Sequence, residues 1–432
     1  MKRLPFTLSL LLLAAAAHAA PHRDSVKTGW NFGALPAISF DSNLGFQYGG
    51  LVNLFYFGDG SSYPQYLHSV YAEVSHYTKG TTVFRAYYDS KHLLRGLRTT
   101  VDAAYFTDKM MKLHGFNGYQ AAYHPEYTEE GSFGEGFYSY NRNLMRVVST
   151  LQGSLGHGFG WAAGLDLYAC KTGAVDKAGL GLPPTPTAYE LYVQGGGIRS
   201  EEADGGAHLY LKGGLMYDTR DFEPNPMRGL CTELLLLASP DVERRGNTHV
   251  KLSLVHRQYF TLLPQTLSLA YRLGYQGTLL GRTPWYLQQN LHVLVLRKNL
   301  SEGLGSSSTM RGTVRNRIVG DGVAFANAEL RWKIVHFRLI GQNWYVATNP
   351  FVDVGMVVLP YREAALRQMQ ERIGLLGDAE LVAGGRETPH ACAGVGLQVV
   401  MNQNFIVSAD FGKALDRRDG DSGLYIGLNY LF

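Results

Sequence analysis

The chain has 432 residues and a formal net charge of +4, too small a surplus over this length to suggest a nucleic-acid partner. Its three cysteines, Cys170, Cys231 and Cys392, lack the spacing of a metal or redox motif; one disulfide is the alternative, but the odd count and wide separations favour three buried or lumenal thiols. Glycine (51) and tyrosine (27) are abundant and aromatics reach 12%, while mean hydropathy is slightly negative; that suits a wall in which only every second residue meets lipid.

The first elements concern export. Lys2 and Arg3 precede the apolar run Leu8 to Ala17, and Ala17-His18-Ala19 offers small residues for cleavage, so residues 1–19 read as a signal peptide. The run is too short to span a membrane, and no later stretch approaches the roughly 18 apolar residues of a spanning helix. Residues 20–35 leave room only for a short periplasmic segment, and 36–432 form one barrel domain.

Period-2 runs bounded by turn residues then give sixteen strands, near 36–41, 43–57, 64–78, 81–92, 97–109, 137–153, 157–171, 205–219, 229–240, 247–260, 265–281, 322–337, 341–358, 387–401, 403–414 and 422–432. The long connections, 110–136, 172–204, 282–321 and 359–386, all follow odd-numbered strands. Long extracellular loops alternating with tight periplasmic turns are the mark of an outer-membrane barrel with an even strand number. The expected fold is therefore all-β, a 16-stranded antiparallel transmembrane β-barrel whose longest loop, between strands 11 and 12, enters the lumen.

Sidedness supports this. In 323–334 Asn327, Glu329, Arg331 and Lys333 alternate with Ala324, Ala326, Ala328, Leu330, Trp332 and Ile334. A lysine or arginine facing lipid at mid-depth costs about 2–4 kcal/mol, so the charged row faces the lumen. In the last strand Leu424, Ile426, Leu428, Tyr430 and Phe432 make an apolar outer row. The first strand begins at Pro36, which lacks an N–H, and Ile38 follows; the last contains Gly423 and Gly427, which pack poorly. Together with the terminal Phe432 these residues mark a seam that is easier to open than any other strand pair.

Three motifs stand in order along the chain. Tyr217-Asp218-Thr219-Arg220-Asp221 leads to Asn225-Pro226-Met227-Arg228-Gly229. Met310-Arg311-Gly312-Thr313 lies in the longest loop, and Phe351-Val352-Asp353-Val354-Gly355 in a later strand. They resemble, respectively, the Y-D-T-R-D turn with N-P-x-R-G, the V-R-G-F/Y loop element and the F-x-D-x-G strand of the BamA/TamA superfamily (the bacterial surface-antigen family), in its barrel-only branch without periplasmic POTRA repeats. The aromatic expected after Gly312 is replaced by Thr313. The resemblance implies a loop folded back into the lumen. Arg311 then needs acidic partners, and Glu329 and Asp353 have the lumenal parity to provide them. The resemblance also implies insertion or translocation of outer-membrane proteins or lipids through the seam of strands 1 and 16. A passive or gated channel, or a surface antigen with structural or adhesive loops, is the alternative.

No catalytic, metal or cofactor site is expected. Gly420-Asp421-Ser422-Gly423 matches a serine-protease string but reads as a turn, Asp416, Asp419 and Asp421 lack calcium-loop spacing, and the histidines form no H-E-x-x-H. The expected partners are outer-membrane lipid, periplasmic or membrane partner subunits, and a second copy in a homodimer.

Overall fold

The computed structural model describes residues 26–63, 65–294, 303–339, 342–374, 379–401 and 405–432; the signal peptide expected at 1–19 lies outside them. Sixteen antiparallel strands close into a barrel in chain order. β1 comes in two segments, Trp30–Pro36 and Ser39–Asp41, which hold one register against β2 (Gly45–Tyr56). β3 (His68–Tyr77), β4 (Thr81–Leu94), β5 (Leu97–Lys112), β6 (Ser139–Gly156), β7 (Phe159–Gly173), β8 (Gly205–Asp218) and β9 (Gly229–Ser239) follow. The second half comprises β10 (His249–Leu263), β11 (Leu267–Gly281), β12 (Gly322–Leu339), β13 (Gln342–Leu359), β14 (His390–Met401), β15 (Phe405–Ala414) and β16 (Ser422–Leu428).

The wall is inside-out by the standard of a water-soluble protein. Leu211, Leu236 and Phe411 are 56%, 49% and 49% exposed on its outer face, while Arg146 and Arg311 are 1% and 0% exposed within. A continuous apolar outside of this extent needs a bilayer to cover it. The inner charges are paired across neighbouring strands: Arg142 with Asp108 at 2.7 Å, Lys212 with Asp166 at 2.7 Å and Arg257 with Glu233 at 2.7 Å. Among the described residues no helix is long and apolar enough to cross a membrane; the chain crosses with strands. The three cysteines are free and buried.

The long loops make a dome over one end. α1 (Ala188–Gln194) starts at a capping box in which Thr187 accepts from the Glu190 N–H and the Glu190 carboxylate accepts from the Thr187 N–H. α2 (Glu363–Ile373) buries Leu366, Met369 and Ile373. The helices meet where glycine lets them: a Cβ on Gly195 would stand 2.4 Å from Met369 Cγ. Asn117 ties the loop after β5 to the segment after β13, donating to the Tyr361 carbonyl at 2.9 Å and accepting from its N–H at 2.6 Å.

Two expectations about the chain ends are corrected. The first strand does not begin at Pro36, because Trp30–Pro36 already pairs with β2, from Trp30↔Tyr56 to Pro36↔Gly50. Gly33, Ala34 and Pro36 hide the strand from a propensity reading, and the facing backbone of β2 supplies the bonds that propensity does not. The last strand, in turn, stops at Leu428. Asn429 takes a left-handed φ of 68° and turns the chain inward, so Tyr430 and Phe432 are buried in the lumen and not on the lipid face. Phe432 is thus no part of the closing pair.

Candidate functional site: the lumenal loop anchor and the seam

Among the sixteen closures of the barrel the seam stands apart. β16 meets β1 only through Tyr425↔Asp41 and Ile426↔Phe40, extended by a Ser42 N–H bond of 3.0 Å to the Leu424 carbonyl. Among the described residues the Trp30–Pro36 segment of β1 has a register of partners on β2 alone. Of the residues expected at the seam, Gly423 and Gly427 pair backward, with Gly412 and Ser408 of β15. Pro36, which pairs with Gly50 of β2 and has no register partner on β16, is followed by Ile38, which is exposed.

The loop between β11 and β12 enters the lumen and sits across the closed part of this seam. Arg311 is its anchor. Its Nε and Nη2 donate to the two oxygens of Asp353 on β13 at 3.0 Å each, its Nη1 donates to Glu329 of β12 at 2.7 Å, and its own N–H reaches Asp353 at 3.1 Å. Asp410 of β15 is 3.6 Å from Nη1, and the guanidinium carbon lies 3.4 Å from the centre of the Phe351 ring. Asn327 fixes the arrangement by donating to Asp353 at 2.8 Å and to the Thr309 carbonyl at 2.6 Å. Burial alone pulls the guanidinium down, but Asp353 and Glu329 outweigh it and hold Arg311 above its ordinary value. Arginine suits the place because its planar fork reaches two carboxylates at once.

The residues flanking Arg311 explain how the loop spans the seam. Met310 is fully buried and packs with Leu304, Ile318 and Val357. Gly312 has a φ of 104°, and a Cβ there would lie 2.6 Å from the Gly412 carbonyl carbon, so only glycine lets the loop lie flat on β15. Its N–H donates to the Tyr425 hydroxyl on β16 at 3.0 Å. Thr313, where the family motif carries an aromatic, is buried beside the same wall. Two residues on, the Arg315 N–H donates to Asn43, in the turn after β1, at 3.1 Å. One loop therefore touches both sides of the seam at its long-loop end.

The turn motif between β8 and β9 closes the other mouth. Arg220 grips Asp218 with Nε at 2.9 Å and Nη2 at 2.6 Å, and Asp221 accepts from the N–H groups of Phe222 and Met227 at 2.9 and 3.1 Å. Gly229, at φ 94°, returns the chain to the wall, and buried Pro226 stiffens the crossing. Asn225 reaches over to the Tyr345 hydroxyl on β13 at 2.5 Å. The motif is a strap across the barrel, and it brings Asp218, Arg220, Asp221, Pro226 and Gly229 no nearer to the Arg311 cluster.

A model of the Omp85 superfamily domain matches residues 176–432. The chain belongs to the Omp85 superfamily. Two solved structures share its fold: BamA from Haemophilus ducreyi lacking POTRA domains 1–3 (TM-score 0.56, 14% identity, covering 94% of this chain and 71% of that one) and CdiB from Escherichia coli (TM-score 0.54, 12% identity, 95% and 66%). No curated protein matches the chain. Omp85 barrels are outer-membrane proteins, the setting the apolar outer wall requires.

Sequence reasoning gave no site role to Phe351, Asp410 and Tyr425, which face the loop; Arg331, read there as a lumenal base and an alternative partner of the carboxylates, does pair with Glu329, at 2.9 Å. The signal was there, since Asp410 and Tyr425 share the lumenal parity of their strands and Phe351 opens the motif that holds Asp353. Ser422 of the protease-like string pairs with Lys413 in the β15–β16 ladder, as a turn-to-strand junction should.

Proposed function

We propose that this Omp85 barrel assists insertion or translocation of outer-membrane proteins or lipids by parting β1 from β16. The observation that carries this reading is the seam itself: two residue pairs on one side of a barrel whose other junctions are paired over seven or more. Backbone hydrogen bonds and side-chain packing are what hold strands together, so the barrier to parting is lowest here. The exposed edge of Trp30–Pro36 offers free N–H and C=O groups on which an incoming strand could pair. On this reading the barrel catalyses no covalent chemistry, and substrate capture falls to partner subunits or to the seam.

A passive channel is the second reading, and the filled lumen speaks against a wide one. Gln289, Asn290, His292 and Leu294, of the loop that carries Arg311, are all buried inside the wall. In planar bilayers this barrel should give small, irregular openings and not the steady conductance of an open pore.

The test is a reversible lock. Cysteines replacing Phe40 and Ile426, which face each other, should form a disulfide under oxidation. Oxidised barrels in phospholipid vesicles should lose their acceleration of folding of an added unfolded outer-membrane protein, and reductant should restore it. Equal acceleration by locked and unlocked barrels, or none by either, would remove the reading.

A further inference from the structure

Positive charge gathers where the start of the inserted loop lies on the wall. β8, β9 and β10 bring Lys212, Leu237 and Lys251 into one lumenal row, since Leu237 pairs with Lys212 on one side and with Lys251 on the other. Ser239 and His249, opposite each other, follow two residues nearer the dome on the same face. The loop covers this patch. Ser253 donates to the His292 carbonyl at 2.7 Å, Gln276 of β11 accepts from the His292 N–H at 2.7 Å, and Lys251 reaches the Leu287 carbonyl at 3.3 Å. The His292 ring stands between Tyr168 and Tyr210, with ring centres 5.4 and 5.2 Å away.

Most polar groups here are spent on one another. Lys212 donates to Asp166 at 2.7 Å and to Thr150 at 2.9 Å. His249 donates from Nδ1 to the Asn247 carbonyl at 2.6 Å, so its Nε2 accepts from the Tyr210 hydroxyl at 2.8 Å. Asp102 is divided between Arg85 and Arg146, and Asp321 accepts from Gln288. Lys251, Ser239 and His292 remain. Lys251 is 1% exposed and has no ion pair among the described residues; the Leu287 carbonyl takes one of the three donors of an ammonium. Ser239 Oγ and His292 Nε2, on side chains 1% and 4% exposed, have no hydrogen-bond partner. The Tyr168 hydroxyl lies 3.5 Å from His292 Nδ1, and by donating there it leaves the ring proton on Nε2. All three groups then offer hydrogens, and of the charges acting on His292 that of Lys251 is the strongest. A buried ammonium without a counter-charge is costly, and buried donors without an acceptor add to the cost.

We propose that Lys251, Ser239 and His292 form a lumenal binding site for a small inorganic anion of the chloride class, which fastens residues 287–292 of the loop to the β8–β10 wall. The ammonium supplies the charge, and the Ser239 hydroxyl and His292 Nε2–H supply directed donors. Lys251 turns a cation away, and the nearly complete burial of every lining group keeps out a bulky organic anion. The site stands on other strands than the Arg311 cluster and the seam, so it holds or fails apart from the proposed function.

The test takes the full-length barrel in detergent micelles at pH 8, in sodium chloride or sodium gluconate at equal ionic strength. An anion that binds the folded barrel alone stabilises it by mass action. The apparent melting temperature should therefore climb with the logarithm of chloride concentration and stay flat in gluconate. Lys251→Met, of similar volume without the charge, should abolish the climb. Ser239→Ala should shift it to about tenfold higher chloride, the scale of one hydrogen bond to a charged group. In crystals, bromide replacing chloride should give an anomalous-scattering peak beside Lys251 Nζ. No climb in the unaltered barrel, or an equal climb in Lys251→Met, would overturn the site. Should Lys251→Met fail to fold, an unshifted climb in Ser239→Ala overturns it just as well. A bromide map without that peak would mean that water alone serves these donors, and the inference would fall.

Discussion

The β12–β13 wall and the β16–β1 seam enclose the same lumen in opposite ways. β12 and β13 pair from Gly322↔Leu359 to Leu339↔Gln342 and carry Glu329 and Asp353. The seam has two pairs, and the strand on one side of it abandons the ladder at Asn429. The difference shows how a barrel can be both stable and openable. The charged anchor stands on the longest pairing, where the wall can bear it, and the loop it holds reaches across to staple the shortest.

The comparison breaks first at the anchor. Arg311→Ala leaves Glu329 and Asp353 buried beside the gap, and losing one partner of a buried ionic cluster costs about 3–5 kcal/mol. The folded band on unheated gels should convert to the unfolded one at markedly lower temperature, and an unchanged conversion would show that the cluster is not what seats the loop. Gly312→Ala should do less, about 1–3 kcal/mol, through a left-handed backbone and a Cβ driven into Gly412. Gly213→Ala is its control, because a Cβ there meets nothing within 4 Å. Equal melting of the two variants would deny the close approach.

Acid sharpens the comparison from the lumenal side. His292, in the inserted loop, is buried, and burial together with Lys251, Lys212, His249 and Arg146 holds it well below its ordinary value near 6.5. Its released form takes up a proton more readily than its seated form. The stability it contributes is therefore intact above about pH 6.5 and lost as pH falls, by up to about 1.4 kcal/mol per pH unit. Loop amides should exchange faster at pH 5 than at pH 7 after correction for intrinsic rates, and His292→Gln should flatten that dependence; a dependence that survives the substitution would assign it elsewhere. The smallest effect is expected at Asn429, where Asn429→Val disfavours the left-handed turn by about 1–2 kcal/mol and should lower the gel conversion temperature slightly, while Asn429→Gly should not; equal conversion of the two would show that the turn does not need its positive φ.

Much of this was legible in the alternation. Strand number, loop parity and the lumenal rows of β12 and β13 follow from a period of two, because one face must meet lipid and the other water. The pairing of Arg311 with Asp353 and Glu329 rested on that parity plus the family resemblance. Trp30–Pro36 escaped because its glycine and proline obey the neighbouring strand and not their own propensity.

The sequence by itself determined which side of each strand is greasy, which end carries the long loops, and which carboxylates could meet a buried guanidinium. It also wrote an outward row through Tyr430 and Phe432 that the fold declines to use. Only the tertiary structure decided that the tail turns inward, that the turn motif spans the mouth, and that Glu329 serves two arginines. Periodicity is local to one strand, whereas these choices depend on groups hundreds of residues apart competing for the same few buried partners.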